Sequence, residues 1–247
     1  RPGDPARPGR GEAAAFDEAR FRELLAQPRV RLDVATLGRA RGEDLALNDA
    51  RQHSGPSYTL MFTLMFLLMS AKDIVTERRI RTLDRLRLSR ATGGDLTLGF
   101  FLANMFIGVG QIVLLLLLNS VLFHIDYGES PVTLILVSAL FAAFSAAAGL
   151  LLGSLARSPG QADALGMVIG MSLPALGGLW WPLEVTPPFM QAIGRSLPTG
   201  QAISVFHDLI GRGYGLAETA PYLLGLAAWV TAILLGAAWA FRRQAVA

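Results

Sequence analysis

Apolar positions in this chain fall in long unbroken runs. Five stretches, at about 56–75, 96–123, 131–156, 162–181 and 220–241, carry almost no charge. Each is long enough to cross a hydrocarbon core of about 30 Å. Segments this apolar must be helical, because lipid offers no partner for backbone N–H and C=O groups. The pattern predicts an all-α, polytopic transmembrane helix bundle over 56–247, with five visible spans. Residues 1–55 follow another pattern. The first residues, 1–11, are rich in Pro, Gly and Arg, a composition that favours disorder. Residues 13–27 read as a short amphipathic helix, with Phe16, Phe21, Leu24 and Leu25 apolar, Asp17 and Glu18 in the first turn, and Pro28 as its stop. Val30, Leu32 and Val34 then alternate with Arg31 and Asp33, a strand signal. This segment is expected to be the remnant of a small α/β extracytoplasmic domain, too short to bury its own core.

Composition narrows the class. Hydrophobic residues make up 52% of the chain and charged residues 17%, with a mean hydropathy of +0.44. Soluble domains carry about a quarter charged residues, so an ordinary soluble enzyme and a disordered chain are excluded. Cysteine is absent, which removes a disulfide framework, a thiol nucleophile and a Cys-based metal site. The net charge of +3 and the pI of 9.8 come from arginine, Lys72 being the sole lysine. Those arginines flank the apolar runs, so they read as topology determinants, and no nucleic-acid partner is expected.

Their distribution sets an orientation. The segment after the first run holds Arg78, Arg79, Arg81, Arg85, Arg87 and Arg90, whereas 124–130 holds Asp126 and Glu129 and no Lys or Arg. Arg157 follows the third run, and Arg242 and Arg243 follow the last. The positive-inside rule places these basic segments and the C-terminus in the cytoplasm, and 1–55, 124–130 and 182–219 outside. A tail with ten arginines translocates poorly without an apolar segment ahead of it. A further span is therefore expected upstream, giving six in the natural protein.

Two segments stand out. In 76–90, Ile80, Leu83 and Leu86 recur at a spacing of three beside a charged face, which describes a helix along the cytoplasmic surface at about 77–90. Glu77 and Arg81 form an i,i+4 pair in the favourable order, contributing roughly 0.2–0.5 kcal/mol. Docking of a partner and anchoring to membrane lipid are both open to such a helix. In 177–191, Gly177, Gly178, Pro182, Pro187 and Pro188 punctuate the chain around Trp180 and Trp181, which suit the outer membrane interface. Residues 186–213 are apolar but interrupted, and predict short helices in an outer re-entrant segment covered by protein.

These segments carry a family resemblance. The stretch 77–88 resembles the E-R-x-x-G-T-L-x-x-L cytoplasmic helix of type-2 ATP-binding-cassette permeases, the membrane subunits of bacterial drug, antibiotic and polysaccharide exporters. The stretch 178–191 is similar to their G-x-x-x-P-x-x-x-x-P exit from the fifth span. Leu197-Pro198-Thr199-Gly200 resembles their L-P turn, and Gly55-Pro56-Ser57-Tyr58 the V-P start of the second span. Arg81 departs from the usual Gly, and Arg79 from a common acidic residue, so the helix is unusually basic. The resemblance implies a permease in the bacterial inner membrane that performs no chemistry, a cytoplasmic ATPase partner binding ATP and Mg, and a second permease copy or homologue. It places the coupling surface at Glu77, Arg78, Thr82, Leu83, Arg85 and Leu86, and an outer gate at Trp180, Trp181, Pro182 and Phe189. The residues agree with this division of labour. No G-x-x-x-x-G-K-[ST] occurs, and Lys72 follows Leu68-Met69-Ser70-Ala71, so the chain carries no phosphate cradle and binds no cofactor of its own.

Asn104, Gln111 and Asn119 lie within the second run on roughly one helix face, as a translocation path or as bonds to a neighbouring helix. Gly149-x-x-x-Gly153 and Gly166-x-x-x-Gly170 are expected at close helix contacts. Pro174 should kink the fourth run. Other classes have weaker support. Ser172 and His207 are the one tempting pair for an intramembrane serine protease. An ion-coupled secondary transporter would need ionisable residues at the midplane, and the runs contain almost none. A structural membrane protein is the third alternative. His53, His124 and His207 are isolated in sequence, and no metal site is expected.

Overall fold

The structure, a computed structural model, describes residues 50–80 and 93–246. The expected α/β segment and its strand lie outside the described residues. Every described secondary element is helical. Helix α1, Ala50–Met69, turns at Ser70 into α2, Ala71–Arg79. Helix α3 is Gly93–Phe123, α4 is Pro131–Leu155 and α5 is Pro159–Leu176. A 3-10 turn at Leu183–Val185 leads to two short helices, α6 (Pro188–Ser196) and α7 (Pro198–His207). A π-helical turn, Asp208–Arg212, precedes the last helix, α8, Leu216–Val246.

Four of these helices are long and apolar enough to cross a membrane: Arg51–Arg79, counting α1 and α2 as one rod, Gly94–Phe123, Pro131–Leu155 and Leu216–Ala240. The chain is thus an all-α, polytopic helix bundle. The remaining expected span falls on α5, which is not among these four, and the helix stops at Leu176 instead of reaching 181. The reason is local. Pro174 lies inside the helix and has no N–H to give. Gly177 caps it, donating to the Leu173 carbonyl at 2.9 Å, and Gly178 takes a φ of +82°, open to glycine but not to a bulky residue. The chain leaves the helix axis there, and Trp180 and Trp181 sit in the turn beyond it.

Helix α4 is the centre of the bundle. Within its apolar window 61% of residues are buried, against 22% in α3 and α8, and 141–147 is buried throughout. Lipid tails are as apolar as leucine, so water is not what drives these helices together; close van der Waals packing does that. Small residues make it possible. A Cβ on Gly149 would stand 2.3 Å from the Leu67 carbonyl oxygen, and one on Gly153 would stand 2.9 Å from that of Ala71. On α5, a Cβ on Gly166 would lie 3.4 Å from the Leu68 carbonyl oxygen, and one on Gly170 would lie 3.0 Å from Met65. The two small-residue pairs therefore pack on the same third element. The α1–α2 rod runs between them.

The short helices of 183–212 differ: α6 is largely exposed, with Gly194 its one buried residue, and α7 is covered. Residues 198–200, 202, 203, 205 and 206 of α7 are buried, and the helix packs on α1, α4 and α8. Phe206 and Ile203 join Leu60, Leu64, Phe141 and Leu226 in the main core. A second cluster, including Leu67, Ile74, Phe101, Ala147 and Ala237, lies around the α1–α2 junction.

Candidate functional site

Helix α2 carries the first residues of the predicted surface helix. Glu77 and Arg78 are described, and Glu77 is half-buried; Thr82, Leu83, Arg85 and Leu86 lie outside the described residues. Arg78 does something the pattern alone did not show. Its guanidinium donates to the Ser154 carbonyl at 3.5 Å and also to the Ala156 carbonyl. Helix α4 ends at Leu155, and its last carbonyls lack intrahelical partners. A cation is favoured at that end by the helix dipole as well. Arg79 donates to the Arg157 carbonyl at 3.4 Å, one residue further along the same turn.

The turn between α4 and α5 is only 156–158 long and is stitched from within. Ser158 Oγ accepts from the Gln161 N–H at 3.1 Å, and Gln161 Oε1 accepts from the Arg157 N–H at 2.8 Å. This is a capping box at the start of α5, with the return bond displaced by one residue. Lys72 Nζ lies 3.9 Å from Asp163 Oδ1 across the α2–α5 contact, too exposed to stabilise much. Five hydrogen bonds, one ion pair and a short turn thus bind α2, the end of α4 and the start of α5 into one corner.

The three polar residues expected along one face of α3 have separate roles. Asn104 Nδ2 donates to Phe100 O at 2.9 Å, within its own helix. Asn119 Nδ2 donates to Gly55 O at 3.1 Å and to Thr59 Oγ1 at 3.0 Å, joining α3 to α1. Gln111 is half-buried and its Oε1 has no partner among the described residues.

At this opposite end of the bundle, His53 and His207 meet. Their Nδ1 and Nε2 atoms are 3.0 Å apart, although 154 residues separate them. The expectation that the histidines are isolated is therefore corrected for this pair: the fold brings α1 and the end of α7 together. Ser57 Oγ lies 3.5 Å from His53 Nε2. The chain Ser57–His53–His207 ends on an imidazole, where a nucleophile's base would need a carboxylate to orient it. Ser172, the serine proposed with His207, is exposed on α5, while His207 is partnered by His53. Next to His207, buried Asp208 accepts from Arg212 at 2.6 Å. Among the described residues, no group of three or more His, Asp or Glu could hold a metal ion.

An apolar cleft of about 240 Å³ opens between α1, α4, α5 and α8, with Leu64, Leu68, Phe144, Ile169, Leu173 and Trp229 among its walls. Its walls suit hydrocarbon. A model of the ABC-2 family transporter proteins matches residues 43–240. The chain belongs to the ABC-2 transporter family. It is 28% identical over 156 residues to the linearmycin resistance permease protein LnrN of Bacillus subtilis, an overlap covering 63% of this chain and 40% of that protein. It is 26% identical over 169 residues to the inner membrane transport permease YhhJ of Escherichia coli, covering 67% and 45%. The chain spans less than half the length of these relatives.

As an ABC-2 permease chain of several membrane helices, the protein presents its remaining expected residues at the end where α5 stops. Trp180 and Trp181 stack edge-on, with ring centroids 6.0 Å apart. Both are partly exposed, and Phe189 on α6 is 66% exposed beside Val185 and Ile193, which are also exposed. Pro182 opens the 3-10 turn. Sequence reasoning passed over Ser158 and Gln161, and it named His53 and Ser57 without their contacts. The spacing Ser158-Pro159-Gly160-Gln161 was a readable helix start. Nothing in the sequence joins His53 to His207.

Proposed function

We propose that this ABC-2 chain is the membrane-spanning part of an ATP-driven exporter. It moves an amphipathic or hydrophobic compound, such as a drug, antibiotic, lipid or glycan, out of the cytoplasm. ATP, together with Mg, is bound by a separate cytoplasmic subunit, which hydrolyses the ATP. The family match over most of the chain carries this reading, and the similarity to the linearmycin resistance permease protein of Bacillus subtilis supports the direction of transport. The all-apolar cleft agrees with a hydrophobic cargo.

In this reading the protein sits in the inner membrane with its N-terminal segment outside and its C-terminus in the cytoplasm. The segment 77–90 docks the ATPase through Glu77, Thr82, Leu83, Arg85 and Leu86. Two permease copies, or this chain and a homologue, enclose the path. Helix α1 offers a face for that pairing: Tyr58, Phe62, Phe66 and Met69 are each about half exposed and recur at helical spacing. Gln111, with its unpartnered oxygen, is the best placed of the three polar residues of α3 to meet cargo.

The test is reconstitution of the full-length protein with a cytoplasmic ABC ATPase subunit that co-purifies with it. Charge reversal by Glu77→Arg or Arg85→Glu should leave membrane insertion intact and abolish ATP-driven export. Normal export by both variants would overturn the docking assignment. Transport driven by a proton gradient without any ATPase would overturn the function itself.

A further inference from the structure

The geometry points to Arg78 as a positioning residue that carries movement of the cytoplasmic helix to the start of α5. The inference rests on the proposed function for what moves, and on the structure for the path. Arg78 lies at the end of α2, where the chain passes into the segment proposed to meet the ATPase. Its guanidinium is engaged by the Ser154 and Ala156 carbonyls of the α4–α5 turn. A residue committed to those acceptors is poorly disposed to serve as a docking contact.

The surroundings make this grip stiff. Gly149 and Gly153 seat the α1–α2 rod directly on the α4 backbone, with the Leu67 and Ala71 carbonyls against them. The rod breaks at Ser70, whose hydroxyl donates to Leu67 O at 2.7 Å. Below that break, α2 is held by Arg78, Arg79 and Lys72 to the turn and to α5. The turn is short and closed by the Ser158–Gln161 capping box, so it transmits displacement and does not absorb it. A push on α2 therefore moves the start of α5 with it. Helix α5 in turn packs on α1 through Gly166 and Gly170 and lines the apolar cleft through Ile169 and Leu173. Arg78 is the best-placed of the three cations for this role. Its part-buried guanidinium bonds two carbonyls at the end of α4 and in the turn, whereas Arg79 and Lys72 each make a single exposed contact.

Two measurements on the full-length protein with its ATPase test the inference. The first is hydrogen exchange at the Ala156 and Arg157 amides, compared between wild type and Arg78→Gln. Release of the turn should speed exchange there about tenfold; unchanged exchange would overturn the inference whether or not an ATPase is bound. The second is export per ATP hydrolysed in proteoliposomes. Arg78→Gln should retain the ATPase on co-purification and continue to hydrolyse ATP, while export per ATP falls about tenfold. Arg78→Lys, which keeps the charge at the helix end but not the fork of donors, should recover part of the loss. Loss of ATPase binding in Arg78→Gln would make Arg78 a docking contact and overturn the inference. Failure of the wild type itself to retain an ATPase would instead overturn the proposed function, and the exchange measurement would still decide whether Arg78 holds the turn.

Discussion

Gly149 lies directly against the carbonyl of Leu67, so that a methyl group on it would stand 2.3 Å from the oxygen. Backbone touches backbone at this crossing, and there is no flexible side chain to give way. Gly149→Ala should lower stability by about 1–3 kcal/mol, the usual range for overpacking a close contact. Gly110→Ala, with nothing within 4 Å of the added methyl, should be neutral or slightly stabilising. Thermal unfolding of the two variants in detergent checks the contrast.

Asn119 joins α3 to α1 through Gly55 and Thr59. If this is its main work, Asn119→Ala should lose stability and leave cargo preference unchanged. Polar bonds between membrane helices contribute about 0.6 kcal/mol on average and rarely more than about 1.7. A double-mutant cycle with Thr59→Ala should return a coupling of that size. A change in cargo preference with no coupling would place Asn119 on the path.

The His53–His207 contact predicts a pH dependence. Burial first, then His53 and Arg212, hold the His207 imidazole at about 3, below its ordinary 6.5. The unfolded chain therefore binds a proton that the folded chain refuses between these two values. The stability due to neutral His207 is complete above the unfolded value and is lost as the pH falls through that window. Melting temperature should drop as the pH is lowered from about 7 to about 5, where an ordinary histidine takes up its proton. His207→Gln should flatten the slope over the same range.

The face of α1 carrying Tyr58, Phe62, Phe66 and Met69 predicts a contact with a second permease. The chain has no cysteine, so a single introduced thiol can be read without background. Phe62→Cys should give a crosslinked dimer in native membranes. Leu117→Cys, equally exposed but on α3, should not. Crosslinking at both positions or at neither would remove α1 as the pairing face.

Much of the bundle was legible in the sequence because its cause is local. An apolar run long enough to span lipid has to be helical, and Pro131 and Pro159 each sit at the first turn of a helix, where proline fits. The end of α5 was harder to read. Hydropathy continues through Leu179, Trp180 and Trp181, but Gly177 and Gly178 turn the backbone away first. The separate roles of Asn104 and Asn119 were hidden because helical spacing gives a residue's angle, not its partner.

The sequence by itself determined which segments are helices, which end of the bundle is basic and which family the chain resembles. These follow from hydropathy, charge placement and short motifs, all of which act over a few turns of chain. Only the tertiary structure decided what each helix packs against. It set both glycine pairs against one rod, brought His53 to His207 and turned Arg78 onto the carbonyls of the α4–α5 turn. Those contacts join residues between 76 and 154 positions apart, and no local preference specifies them. They exist because small residues let the helix backbones approach closely enough for side chains to reach across.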